Sequence, residues 1–116
     1  MDLQLPDDAD TPRFLSLSFT ADGTRLFAAD GNNNSIKCVD LSKRVVYRAY
    51  KSKCRVCALQ VREKKGDDGA TCLAALEVYV SEAEWAYQLT LLEEKGDNSF
   101  QLLTTRAIAE RTTTDV

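Results

Sequence analysis

The sequence predicts an all-β protein built from antiparallel four-stranded meanders. Short runs rich in apolar and β-branched residues alternate with turn clusters of Asp, Gly, Asn and Ser, and these runs fall into two sets of four. We expect two units of one domain, residues 14–50 and 54–106. An acidic arm at residues 1–13 precedes them, and a polar tail at residues 107–116 follows them.

The first unit contains four predicted strands, FLSLSF, RLFAA, SIKCVDL and VVYRAY. Between the first two, Asp22 can accept hydrogen bonds from the backbone ahead of it and Gly23 can adopt a positive φ, which favours a tight turn. The alternation of Leu and Ser in residues 14–19 is typical of a largely buried inner strand, in which small residues fit a tight channel side. The basic residues of VVYRAY and its flanks indicate an edge strand.

The second unit is less regular, with predicted strands at residues 54–62, 71–79, 84–92 and 99–106. The segments EKKGDDGAT and EEKGDNSF predict hairpin loops between them. A competing helix signal begins at Ser81, where a capping box with Glu84 precedes an apolar run that ends at Gly96. Strand spacing places four large residues on one face, so we predict a strand there: Trp85, Tyr87, Leu89 and Leu91.

The stretch FTADGTRLFAAD followed by NSIKCVDL resembles the repeat of WD-repeat β-propellers, and lactonase-like and NHL propellers have similar repeats. The resemblance covers about residues 14–50 and implies that this unit is one propeller blade. The sequence lacks the Gly-His pair of WD repeats and has Val39 where the tryptophan would stand. The hydrogen-bond tetrad of that family is therefore not expected.

Two blades leave two apolar faces without a neighbour, because propellers close with about four to eight blades. We therefore expect a piece of a longer propeller, or an assembly in which other copies or another protein subunit cover these faces. The alternative is a compact β-sandwich, in which the two units cover each other.

The net charge of −3 conceals a basic segment between residues 37 and 65. Clustered cations attract phosphates or acidic surfaces, although Lys and Arg also occur on the solvated faces of ordinary strands. With Tyr47 and Tyr50 available for stacking on bases, RNA is a candidate partner. The candidate partner- or phosphate-binding residues are Lys43, Arg44, Arg48, Lys51, Lys53 and Arg55.

The sequence contains no histidine, which removes the commonest general base and metal ligand. Only one CxxC pair is present, and residues three apart on a strand point to opposite faces. We therefore expect no cofactor, and free thiols rather than a zinc or redox site. The four thiols are those of Cys38, Cys54, Cys57 and Cys72. Free thiols favour a reducing compartment, and no apolar run approaches the roughly 20 residues of a membrane span. We expect an intracellular protein, cytoplasmic or nuclear, without a membrane partner.

Three functions follow as expectations. The first is a non-catalytic propeller scaffold that binds other proteins in a complex, and not an enzyme. The second is an RNA- or phosphate-binding subunit, resembling WD-repeat subunits of tRNA-modifying or ribosome-assembly complexes. The third is a fragment of a propeller hydrolase or lactonase, for which Asp22, Asp30 and Asp40 are the candidate carboxylates. The terminal Thr114-Asp115-Val116 also fits a ligand for a PDZ domain.

Overall fold

The computed structural model of the protein describes residues 11–63, 71–81, 83–95 and 99–112. These residues form strands and turns without a helix, which confirms the all-β prediction. The segment after Ser81, for which a helix was the alternative, forms a strand as predicted. The strands are β1 (Phe14–Phe19), β2 (Arg25–Asp30), β3 (Ser35–Asp40), β4 (Val45–Lys51), β5 (Arg55–Glu63), β6 (Thr71–Val80), β7 (Glu84–Lys95) and β8 (Ser99–Thr112).

The strands form two antiparallel four-stranded meanders. The first sheet has the order β1-β2-β3-β4 and the second has the order β5-β6-β7-β8. Strands that are adjacent in a sheet are therefore also consecutive in the sequence. The two sheets pack face to face and are not closed into a barrel. This arrangement is that of two adjacent propeller blades or of a small β-sandwich, the two architectures that the sequence predicts.

The turn between β1 and β2 has the predicted geometry. Gly23 has a φ of 72°, and the Asp22 carboxylate accepts hydrogen bonds from the Thr24 backbone N–H at 3.0 Å and the Thr20 hydroxyl at 2.7 Å. The Thr24 backbone N–H is the main reason that the pKa of Asp22 falls to about 2. The Asp-Gly pair therefore forms the turn through the mechanism that its residue types predict.

The core lies between the two sheets. Phe27, Ile36 and Cys38 of the first sheet are fully buried against Leu73 and Leu92 of the second. The ring of Phe27 meets that of Phe100 in β8 edge to face, with the ring centroids 5.4 Å apart. Because every second residue of each sheet points into this layer, burial of these side chains is the main force that holds the sheets together.

A hydrogen-bonded seam joins the first strands of the two sheets. The Ser16 hydroxyl accepts from the backbone N–H of Leu59 at 3.2 Å, and the Ser18 hydroxyl accepts from that of Val61 at 3.0 Å. Leu17, between the two serines, is 58% exposed on the opposite face of the sheet. The prediction of a largely buried strand is wrong here, because β1 is the edge strand of its sheet and none of its residues is buried. The Leu and Ser alternation instead separates an inner face that meets β5 from an exposed outer face.

The second unit differs from the prediction at its end. Strand β8 continues past Arg106 to Thr112, so residues 107–112 belong to the sheet rather than to a tail. The pairing of Trp85 with Arg111 and of Glu84 with Thr112 extends the ladder to that point. The acidic arm to residue 10, the central residues of both hairpin loops and the terminal Thr-Asp-Val lie outside the described residues.

Candidate functional site

The six predicted basic residues are all exposed, but they do not form one compact patch. Lys43 and Arg44 lie in the turn between β3 and β4, whereas Lys53 and Arg55 lie where the chain passes from the first sheet to the second. Strand β4, which separates the two pairs, has 7 residues and is therefore about 20 Å long. Arg48 and Lys51 lie on this edge strand, so the set forms a line with a pair of cations at each end.

The pair Lys43–Arg44 is placed by turn geometry. Asp40 accepts hydrogen bonds from the backbone N–H groups of Ser42 and Lys43 at 3.1 and 3.0 Å, and from the Ser42 hydroxyl at 2.7 Å. Arg44 has a φ of 56°, in the left-handed region. These contacts fix a tight turn on the edge of the sheet, where cations also discourage pairing with another chain.

The opposite pair, Lys53 and Arg55, lines a cleft of about 420 Å³ at the junction of the two sheets. Arg55 is placed by its register opposite Val78 in β6. Asn34 lies in the turn between β2 and β3. It is held beside the segment that connects β4 to β5, because its backbone carbonyl accepts a hydrogen bond from the Ser52 backbone N–H at 2.7 Å. The complete lining consists of Asn34, Lys53, Cys54, Arg55, Val78, Tyr79 and Val80.

The charge of this cleft is positive. Neither Lys53 nor Arg55 forms an ion pair within the part of the chain that the structure describes. Glu77, whose charge acts on Cys54 of the cleft, is 2% exposed and is not part of the lining. Its carboxylate accepts hydrogen bonds from the hydroxyls of Ser52 and Thr90. Glu77 therefore has its own buried partners, and the cations facing solvent are not neutralised by it.

The cysteine in the cleft is not an activated nucleophile. Burial raises the pKa of Cys54, the Glu77 carboxylate raises it further, and Lys53 opposes both effects. A raised pKa keeps the thiol protonated at neutral pH, where only the thiolate reacts readily. Cys57 lies at an irregularity in the pairing of β5 with β6, and its thiol donates to the Leu76 carbonyl at 3.3 Å. The four cysteines are free, and no cluster of metal-ligating side chains occurs among the described residues.

The aromatic residues expected to accompany the basic ones have another role. Tyr47 and Tyr50 pack against the core cluster, and burial, followed by proximity to the Cys38 thiol, raises the pKa of Tyr47. The exposed aromatic residue in the lining of the cleft is Tyr79, which is 47% exposed. In the register of β5 with β6, Arg55 lies opposite Val78, so the side chain of Tyr79 points to the opposite face of the sheet from Arg55.

The three carboxylates considered for a hydrolase lie beside three different turns, Asp22 within the first turn and Asp30 and Asp40 as the last residues of β2 and β3. Asp22 and Asp40 are at one end of the first sheet and Asp30 is at the other, since Arg25 pairs with Asp40 and Ser35 with Asp30. Asp30 is fully buried, which opposes ionisation, yet its pKa lies below the ordinary value. Asn33, the Arg13 backbone N–H at 3.1 Å and the Lys37 ammonium at 3.2 Å are the reasons.

The second sheet carries an apolar outer face, whereas the first sheet exposes apolar outer residues only on β1, because Ala28, Lys37 and Val39 on the same face of its central strands are buried. On the second sheet the outer-face pairs include Val80 with Trp85, Val78 with Tyr87 and Leu76 with Leu89. On the first sheet the exposed outer residues include Leu17 and Phe19, each 58% exposed. On β6 and β7, the outer-face residues with an exposed fraction above one third are Val80 at 70%, Tyr87 at 39%, Leu91 at 37% and Leu89 at 36%.

Comparison with known proteins places the chain in no family. No protein-family model matches the sequence, and no curated protein is significantly similar to it. Within the described residues, no helix is long and apolar enough to cross a membrane. Arguments about function therefore depend on the geometry of the cleft and of the two outer faces.

Proposed function

We propose that this protein is a non-catalytic interaction module whose outer sheet faces pack against further four-stranded sheets, in the manner of propeller blades. The observation that carries the proposal is the apolar outer face of the second sheet, where Tyr87, Leu89 and Leu91 are all more than one third exposed. Contiguous apolar surface of this kind marks an interaction site, because soluble proteins seldom leave it in water.

The occupant that fits such a face is another sheet with an apolar side. The central pairing of this sheet, β6 with β7, is regular, and the strands of the sheet have 9 to 14 residues. A sheet packs on a sheet at about 10 Å with interdigitating side chains. The inner faces of the two sheets already pack in this way. In the isolated chain another copy of the protein supplies this sheet.

Sedimentation velocity over a hundredfold range of protein concentration tests the proposal. We expect the wild-type mass to rise with concentration. Leu89→Lys, which places a charge at the centre of the outer face, should reduce this association at least tenfold, because a buried unpaired charge is costly. Ala21→Lys is the matched control, since it adds the same charge in an exposed turn.

A wild-type protein that remains a compact monomer over the whole range, and that binds no hydrophobic dye, would contradict the proposal. Such a result would favour the β-sandwich, in which the two units need no further cover. Circular dichroism of both variants shows whether the substitutions leave the strands intact, so that a loss of association is not mistaken for unfolding.

The two other functions differ in their support. Hydrolysis has no observation in its favour, because Asp22, Asp30 and Asp40 each accept hydrogen bonds within a separate turn. A phosphate-binding role is favoured by one feature, the cleft that contains Lys53 and Arg55.

A further inference from the structure

We infer that the partner of the second sheet's outer face is an antiparallel sheet of a different protein chain, with apolar central strands and carboxylates along its margins. The inference rests on the proposed function, in which that face packs against a further sheet, and it adds the chemistry by which the face selects its partner. Three exposed arginines carry it, Arg55 and Arg62 on β5 and Arg106 on β8. We call them the margin arginines.

The register of the sheet places the margin arginines around the apolar part of the outer face. In chain order, they lie opposite Val78, Cys72 and Leu89. Residues that lie opposite each other on antiparallel strands share a face, so all three arginines point to the side of Val78 and Leu89. The apolar residues lie on the central strands and the arginines on the two edge strands, which are about 14 Å apart across three strand spacings. An apolar centre with a polar rim that includes arginine is the anatomy of a protein–protein interface.

The margins of this face are positively charged. None of the margin arginines forms an ion pair with another described residue. The other charged side chains that the structure describes on this face, Glu93 and Lys95 of β7, have opposite signs and lie at one end. When a sheet covers the apolar centre, the guanidinium groups lose part of their water, and a carboxylate that binds them offsets this cost. The margins therefore favour a partner with acidic residues at the corresponding positions.

The contact between the two sheets of this chain already shows that arrangement. Arg25, the first residue of β2, binds both carboxylate oxygens of Glu94 in β7, with nitrogen–oxygen distances of 2.5 and 3.0 Å. The guanidinium carbon of Arg25 also lies 5.4 Å from the ring centroid of Phe27, in the apolar core. A sheet-on-sheet contact of this protein thus combines an apolar centre with an arginine–carboxylate pair at its border. The outer face supplies the arginines of such a contact but not the carboxylates.

A second copy of the chain supplies no carboxylate to the margin arginines. In aligned packing about a two-fold axis, β5 lies over either β5 or β8 of the copy. On both strands, the described charged side chains of this face are arginines, so like charges meet at both margins. The outer side of the first sheet offers no better surface, because Lys51 is exposed there and Asp30 is buried beside Lys37. A copy therefore covers the face only against electrostatic repulsion.

A charge-reversed copy of the chain, Arg55→Glu/Arg62→Glu/Arg106→Glu, is the probe, because it has the same apolar centre with carboxylates at its margins. Sedimentation velocity, with a fluorescent label on one of two mixed proteins, measures each pairing. We expect the wild type to bind this variant at least about tenfold tighter than either protein binds itself. The matched control, Lys43→Glu/Arg44→Glu/Lys51→Glu, changes the net charge equally on the first sheet and should show no such preference.

Salt gives a second readout, with opposite signs for the two pairings. Raising the NaCl concentration from about 0.1 to about 1 M shortens the Debye length from about 10 to about 3 Å. The self-association of the wild type should strengthen, because the repulsion between arginines is screened, and the mixed pair should weaken. The neutral variant Arg55→Gln/Arg62→Gln/Arg106→Gln measures the effect of salt on the apolar contact alone.

The outcomes separate this inference from the proposed function. Self-association of the wild type without preference for the charge-reversed copy, and with the same salt dependence in both pairings, would overturn the inference and leave the proposed function intact. Absence of association in every pairing would refute both. Binding to phosphatidylserine vesicles that Leu89→Lys abolishes, without preference for the charge-reversed copy, would overturn the inference in favour of an anionic membrane surface. Circular dichroism reports the folding of each variant, and Arg106→Glu alone should give a smaller preference of the same sign if the triple variant does not fold.

Discussion

Replacement of Phe27 by alanine tests directly whether the two sheets share a core. Phe27 is fully buried on the inner face of the first sheet, and the loss of a buried phenylalanine costs about 3–5 kcal/mol. Its edge-to-face contact with Phe100, at 5.4 Å between ring centroids, places the expected cost in the upper half of that range, because such pairs add about 0.5–1.5 kcal/mol.

Phe19→Ala is the matched control, since it removes the same side chain from the same sheet. Phe19 pairs with Leu26 on the outer face and is 58% exposed. From the buried part of the Phe19 side chain, we expect Phe19→Ala to lower the free energy of unfolding of the isolated chain by about 1 kcal/mol. The two substitutions should therefore differ by about 3 kcal/mol in the free energy of unfolding.

Urea unfolding followed by circular dichroism, with Trp85 fluorescence as a second probe, measures the difference. Equal costs for Phe19→Ala and Phe27→Ala would refute the face-to-face packing, and a larger cost for Phe19 would show that the outer face is the buried one. If Phe27→Ala does not fold, Phe27→Leu gives a smaller perturbation at the same position. A double-mutant cycle with Phe100 should give a coupling of about 0.5–1.5 kcal/mol.

Three further predictions concern the seam and the first turn. Ser18→Ala should lower the free energy of unfolding by about 1–3 kcal/mol, because the Val61 N–H loses its acceptor. Chemical denaturation measures the loss, and a cost near zero would contradict the seam. Gly23→Ala should cost about 1 kcal/mol in the same assay and Gly23→Asn less, since φ is 72° and asparagine tolerates that region; equal costs would contradict this explanation. Asp22 has a folded-state pKa of about 2, below its ordinary value of 3.8, so its contribution to stability is present above about pH 4 and is lost as the pH falls towards 2. The stability difference between the wild type and Asp22→Asn should shrink over that interval of pH, and a difference independent of pH would exclude the carboxylate as its source.

Most strands were predictable because local patterns determine them. Asp22-Gly23 marks the first turn, and alternating residues mark β1 as far as Phe19, where the structure also ends the strand. The end of β8 was not predictable, because residues 107–112 contain no apolar alternation that separates a strand from a tail. Its extension depends on pairing with β7 along its whole length, which is a tertiary effect.

The candidate site was predictable in part, for a related reason. Exposure of the basic residues follows from their position on an edge strand, but the roles of the tyrosines do not. Tyr47 and Tyr50 are three apart, so a regular strand would place them on opposite faces. An irregularity in the pairing of β3 with β4 places Tyr47 opposite Cys38 and Tyr50 opposite Ile36, and both rings therefore meet the core. The placement of Arg55 opposite Val78 likewise depends on a register that includes an irregularity next to Val56.

The orientation of the two sheets is set by polar contacts more than by the apolar core between them. Apolar burial is roughly proportional to area and has little direction, so it does not by itself prevent one sheet from sliding over the other. At one end of the interface Arg25 binds both oxygens of Glu94, at 2.5 and 3.0 Å. At the opposite end the Ser52 hydroxyl donates to the buried Glu77. A shift of one residue would break both contacts. It would separate the partly buried Arg25 and Glu94, and it would remove one hydrogen bond from the buried Glu77, which would keep Thr90 as a donor. The polar contacts therefore fix the angle between the two sheets, and with it the direction in which the apolar outer face of the second sheet points.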